Sequence, residues 1–190
     1  MILAVQAIGA PMTQDERNRA LSEFHASRKM FLDAVSGLTP AQWNFKPDAT
    51  TWSVAECAEH IAISEDTLFG RLTGEILTKP VTPGQKSDVS DEAVLVGTVD
   101  RSRKFQAPEA LQPKHQFTSQ EQLVDHFKVS RERALDYIRT TQDDLRGHVF
   151  PGPAGANMDA YQFLMTISAH CRRHIAQIEQ IKANSKFPPH

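Results

Sequence analysis

Near its C-terminus the chain reads Ser168-Ala169-His170-Cys171-Arg172-Arg173-His174-Ile175-Ala176-Gln177-Ile178. On a helix, His170 and His174 stand one turn apart on the same face, and their imidazoles converge on one point. Phe163, Leu164, Ile167, Cys171, Ile178 and Ile181 recur at helical intervals around the pair and put both rings on a core-facing stripe. Neutral imidazole is a ligand for zinc, nickel, copper or iron, and two donors on one rigid helix reduce the ordering a metal site requires. Two ligands are too few. Eight histidines in 190 residues yield an i,i+4 pair by chance in roughly one chain in three, so the case for a site depends on a third ligand from a facing helix.

The elements that would supply it are legible from capping signals and apolar periodicity. Thr13-Gln14-Asp15-Glu16 is a capping box, and Leu21, Phe24, Phe31, Val35 and Leu38 follow at helical spacing until Gly37 and Pro40. A connector with Trp43 and Phe45 leads to a second box, Ser53-Val54-Ala55-Glu56, which opens a helix with Val54, Cys57, Ala58, Ile61, Leu68, Leu72 and Ile76 on its apolar face. His60 lies at the margin of that face and is the candidate third ligand. Lys79–Lys86 is punctuated by Pro80, Pro83 and Gly84, Asp91–Lys104 suits a short, weakly amphipathic helix, and Phe105–Phe117 an irregular crossover. Thr118-Ser119-Gln120-Glu121 offers a third box for a helix running to about Gln142. A loop with Pro151, Gly152, Pro153 and Gly155 then precedes the histidine-bearing helix, capped by Asn157 or Asp159. His25 and His126 sit beside their stripes, and His115 and His148 in loops, so none is expected to ligate. Four long amphipathic segments without a strand pattern predict an all-α four-helix bundle, with a long crossover connection between its second and third long helices.

The length fits a single domain, expected over residues 13–184, with a disordered leader over 1–12 and a frayed tail over 185–190. A net charge of −2, from 21 basic and 23 acidic residues well mixed, supplies no basic stripe for nucleic acid. No apolar run approaches the roughly 20 residues of a membrane span. Cys57 and Cys171 form no disulfide framework and suit a reducing compartment, so a cytoplasmic protein is expected. The apolar Ile2–Ala10 run keeps an exported protein with a trimmed signal as the alternative. An apolar helix face left uncovered would support a homodimer.

Trp52-Ser53-Val54-Ala55-Glu56, then His60-Ile61, then His170, His174 and Gln177-Ile178, in this order and spacing, resemble the DinB-like superfamily of bacterial four-helix bundles. The resemblance extends from the first helix to about Ala183 and includes the stretch Ala107–Pro113. It implies that His60, His170 and His174 hold a divalent metal, zinc or nickel. Relatives of this kind include thiol-cofactor-dependent isomerases and transferases and metal-dependent hydrolases, and the resemblance implies no DNA-binding role. Many members carry a further histidine directly before the last ligand, where this chain has Arg173.

Three neutral imidazoles leave a position for an exogenous group, the arrangement of a catalytic metal site. Two chemistries follow: hydrolysis, or transfer to a small thiol cofactor ionised at the metal, each on a small-molecule substrate. Arg172 and Arg173 would attract an anionic cofactor, and Arg173 is the residue expected to bind it. Glu56 is explained by its cap, and the cysteines by ordinary thiol burial. The alternative reading is a non-catalytic bundle whose histidines hold a structural metal.

Overall fold

The computed structural model describes residues 10–81, 83–103, 105–152 and 155–189. Four long helices form the body: α1 Gln14–Val35, α3 Val54–Arg71 extended by a π-helical turn at Leu72–Ile76, α5 Gln120–Thr140 and α6 Ala160–Lys182. Two short helices, α2 Pro40–Trp43 and α4 Asp91–Val99, lie in the connections. A two-stranded antiparallel hairpin, β1 Val149–Pro151 and β2 Asn157–Asp159, leads into α6 with Phe150 opposite Met158.

The caps follow the side chains available. Thr13 with Glu16, Ser53 with Glu56 and Asp159 with Gln162 are reciprocal boxes at α1, α3 and α6. At α5 the cap is one residue later than the sequence suggests. Ser119 accepts from the Gln122 backbone N–H at 3.2 Å, while the Gln122 side chain accepts from the Thr118 backbone N–H at 2.7 Å. Adjacent hydroxyls can both cap, and the glutamine decides which does. Thr39 and Gln42 build an unanticipated box for α2.

Contacts fix the directions. Tyr161 donates to the Glu16 carbonyl and Lys182 to the Ala34 carbonyl, so α1 and α6 run parallel. Arg131 on α5 meets Glu65 on α3, and Tyr137 meets Phe69, so α3 and α5 also run parallel. Arg71 lies over Phe163 at one end of the α3–α6 pair and His60 beside His170 at the other, which makes that pair antiparallel. A parallel α3–α5 pair requires the expected crossover, and the described residues between 77 and 119 travel back along the bundle to make it.

The core is divided. One apolar cluster gathers Phe24, Leu72, Leu135, Ile138, Leu145, Tyr161 and Leu164, and a second gathers Phe31, Val54, Ile61, Phe127, Ile175 and Ile178. Between them lies a buried polar layer. Arg131, fully buried, donates through Nε to Glu65 at 3.0 Å, through another nitrogen to the Phe24 carbonyl at 3.0 Å, and also to the Ser27 hydroxyl. Its guanidinium stacks over Phe24 and Phe127, and Ser27 accepts in turn from Ser168 on α6 at 2.9 Å. All four long helices meet in this layer.

Of the expected leader, residues 1–9 lie outside the described residues, whereas Met12 is buried in the first cluster. Where fraying was expected at the C-terminus, Phe187 packs edge-on against Phe45 and the Pro188 carbonyl accepts from Gln42 at 2.9 Å. No described helix is long and apolar enough to cross a membrane.

Candidate metal centre

His60 enters from the first half of α3, and His170 and His174 from the middle of α6 onward, which the antiparallel packing brings together. The Nε2 atom of His60 lies 3.2 Å from His170 Nε2 and 3.1 Å from His174 Nε2. Among the described residues this is the one group of three or more metal-capable side chains with donor atoms within 4.8 Å of one another.

What faces away from this point fixes what faces it. His60 Nδ1 is 2.6 Å from the Leu111 carbonyl, which only accepts, so Nδ1 carries the proton and Nε2 a bare lone pair. His174 Nδ1 is 3.0 Å from Gln177 Oε1, so the same holds for His174. Two lone pairs therefore point at each other across 3.1 Å with no proton between them. Such an arrangement is repulsive unless a cation lies among the three nitrogens. The spacing suits one: with metal–nitrogen bonds of about 2.0–2.1 Å, nitrogens 3.1–3.2 Å apart subtend about 100° at the ion, between octahedral and tetrahedral angles. The donor set fits a divalent metal ion.

The rings are neutral. Burial pushes His60 below its ordinary value, against the pull of its hydrogen bond to Leu111. Burial, then the neighbouring His60 and Arg173 charges, lowers His170 to about 3. Burial, then His170 and His60, lowers His174 to about 2. Each imidazole is thus held in the form that binds metal.

Around the cluster, Trp52 packs its ring against His60 and His174, with centroids 5.0 and 6.2 Å apart. Glu59, next to His60, accepts from the backbone N–H groups of Lys114, His115 and Gln116 at 2.9–3.0 Å and clamps the crossover onto α3. His115 adopts φ 55° in that clamp. Glu56 serves its capping box and meets Lys46 at 3.0 Å. Cys57 and Cys171 are buried, and desolvation pushes both thiols up to about 12, so they are packing groups.

The remaining sequence candidates are placed elsewhere. Arg172 pairs with Glu23 at 3.0 Å. The Arg173 guanidinium donates to the carbonyls of Thr98, Asp100 and Arg103 and lies over Phe105, fastening the segment after α4 to α6. His126 pairs with Asp66 at 2.7 Å on the bundle surface. Sequence reasoning missed Arg101, which donates to Gln177 Oε1 at 3.3 Å, to Gln180 Oε1 at 3.1 Å and to the Arg173 carbonyl. No periodicity marks a residue just beyond a short helix as a neighbour of the last one.

A crossover four-helix bundle with three imidazoles, one buried and two half-buried, converging from two antiparallel helices defines the class. The DinB superfamily model matches residues 23–178, and the chain belongs to that superfamily. It is 26% identical over 162 residues to the uncharacterized protein YuaE of Bacillus subtilis (strain 168), a match covering 85% of this chain and 96% of YuaE. Its fold is similar to that of YfiT from Bacillus subtilis, described as a probable metal-dependent hydrolase with an unusual four-helix bundle topology. That match has a TM-score of 0.54 at 13% identity and covers 90% of this chain and 88% of YfiT.

Proposed function

We propose that His60, His170 and His174 hold a divalent metal ion, zinc or nickel, and that the protein is a metal-dependent enzyme acting on a small molecule, in the first instance a hydrolase. The observation that carries this reading is the pair of unprotonated Nε2 atoms facing each other at 3.1 Å, both committed to that tautomer by acceptors behind the rings. The description of YfiT supports the hydrolase assignment. A cation bound there supplies Lewis acidity, since three neutral ligands leave its charge unreduced and a coordination position free. The chain's own part is to pack Trp52 and the crossover beside the cluster and to keep the three rings neutral and oriented.

A second reading, a transferase using a small thiol, is favoured by what the neighbouring carboxylates do. Glu56 and Glu59 are both committed, one to a cap and the other to three backbone N–H groups. Neither is free to serve as a general base, and a thiol needs less help than water to ionise at a metal. Arg173, which has no carboxylate partner among the described residues, would contribute its charge toward an anionic cofactor, its N–H groups being held by carbonyls.

The test is elemental analysis of the protein beside His174→Ala, both prepared without a metal-affinity tag or chelator. Near-stoichiometric metal in the first and its loss in the second are expected. Absence of metal in both after reconstitution would refute the proposal. A cobalt-substituted sample titrated with small thiols separates the readings, because only a thiol ligand adds charge-transfer absorption.

A further inference from the structure

Among the described residues Gln177 is the one contact that fixes the proton on His174, yet an amide is ambiguous. Its oxygen accepts and its nitrogen donates, and a half-turn of the side chain exchanges them. With Oε1 toward His174, Nδ1 is the protonated nitrogen and Nε2 is free for a metal. With the NH2 group toward His174, Nδ1 must accept, the proton moves to Nε2, and the ring cannot ligate through the atom that faces His60 and His170. Something must hold the amide in the first orientation.

Arg101 does so. Its guanidinium has donors only, and one of its nitrogens sits 3.3 Å from Gln177 Oε1, the same atom that faces His174 Nδ1 at 3.0 Å. An NH2 group in that place would be a donor confronted by a donor. The guanidinium is itself fixed from two further sides, by Gln180 Oε1 and the Arg173 carbonyl, and among the described residues it has no carboxylate partner to draw it elsewhere. It lies behind the His174 ring, away from the point where the three Nε2 atoms meet.

We propose that Arg101 is a positioning residue for the metal centre: by holding the Gln177 amide oxygen toward His174, it selects the imidazole tautomer whose Nε2 can bind the ion. This inference rests on the metal-centre reading above and deepens it. His60 has its tautomer set by a backbone carbonyl, which cannot flip. His174 has its tautomer set by a side chain that can, and the arginine removes the freedom.

The sign of the effect separates this role from simple electrostatics. Removing a cation near a divalent metal should tighten binding by charge alone, whereas loss of tautomer control should weaken it. Arg101→Met is expected to bind zinc about 10-fold or more weakly in a chelator-competition titration, the range seen when the outer partner of a ligating histidine is lost. In the metal-free protein, 15N shifts of the His174 imidazole should report an Nδ1–H tautomer in the parent chain and a substantial Nε2–H population in the variant. Gln177→Glu presents an oxygen whichever way it turns, so it should bind zinc at least as tightly as the parent chain, and adding Arg101→Met to it should leave affinity equal or tighter. A merely structural role for Arg101 would lower affinity equally in both backgrounds and leave the tautomer unchanged; either result would overturn the proposal. Arg101→Met binding as tightly as the parent chain would do the same. Failure of the parent chain itself to bind zinc would overturn the metal reading, and the 15N measurement still judges the tautomer independently.

Discussion

Arg131→Met probes the polar layer beneath the metal centre, where the structure sets both a magnitude and a pH dependence. Burial pushes the Glu65 carboxyl up, against the pull of the Arg131 guanidinium. Two N–H groups of Arg131 point at its two oxygens, and the permanently protonated guanidinium favours the ionised carboxylate. Removing the arginine strands a buried carboxylate and is expected to cost about 3–5 kcal/mol at pH 7. The stranded group has one escape, which is to take up a proton. From the ordinary value of 4.5, neutralising it at pH 7 costs about 3.4 kcal/mol, and at pH 5 only about 0.7. The variant's Glu65 then has a folded pKa above its unfolded one, so the folded state binds the extra proton and its stability rises as pH falls. Urea denaturation at the two pH values should therefore show the deficit shrinking by about 2–3 kcal/mol from pH 7 to pH 5. The remainder reflects the lost contacts to Ser27, the Phe24 carbonyl and two aromatic faces. Glu65→Leu with Arg131→Met should recover most of the loss, since replacing both members of a buried pair is often nearly neutral. A deficit equal at both pH values, or a double variant as unstable as the single, would refute the account.

Glu59→Ala should cost about 2–3 kcal/mol by removing a charged acceptor from three backbone N–H groups, and hydrogen exchange should accelerate at residues 114–116 while the centre of α3 stays protected. Arg146→Met should cost about 2–4 kcal/mol, because it leaves Glu16, Asp91 and Asp159, at the starts of α1, α4 and α6, facing one another without their shared cation; urea titration at low salt reads it, and a loss within ordinary surface-substitution range would count against the hub. In chelated protein, His170 and His174 refuse protons that the unfolded chain accepts near pH 6.5, so stability should be full above that value and decline below it by up to about 2.7 kcal/mol per pH unit. His170→Ala with His174→Ala should flatten that decline, and an unchanged slope would show the rings to be protonated in the fold.

The sequence carried the helices because their caps and apolar stripes are local. Thr13, Ser53 and Asp159 begin helices where their side chains say they should, and every residue of the stripe around His170 and His174 is buried. The convergence of His60 with the pair was legible for a related reason: two amphipathic faces in one bundle must meet, and each carried an imidazole. The polar layer was not legible, because Glu65 and Arg131 read as ordinary surface charges until their helices are packed with the two side chains facing each other across the core. Arg173 shows the converse. Its type and place beside His174 suggest a ligand-binding role, and the fold gives its donors to the carbonyls of Thr98 at the end of α4 and of Asp100 and Arg103 just beyond it. Nothing in one residue's neighbourhood along the chain records which loop will lie against it.

The topology accounts for why that loop lies where it does. Because α3 and α5 run parallel, the chain leaving α3 must return over the length of that helix, about 27 Å for its 18 residues, before α5 can begin. Its return path ends at the end of the bundle where His60 meets His170 and His174. The same stretch thereby delivers the Leu111 carbonyl to His60, three N–H groups to Glu59 and, just after α4, the Arg101 guanidinium to Gln177. An up-down-up-down bundle with short loops would expose those rings to water and leave their tautomers to be set by solvent. The long crossover supplies the polar partners that a helix surface lacks, so the imidazoles can be shielded, neutral and oriented at once. Shortening the crossover around residues 105–108, while preserving all three histidines, should therefore weaken metal binding measured by chelator competition. Undiminished affinity in such a chain would show that α3 and α6 alone orient the rings.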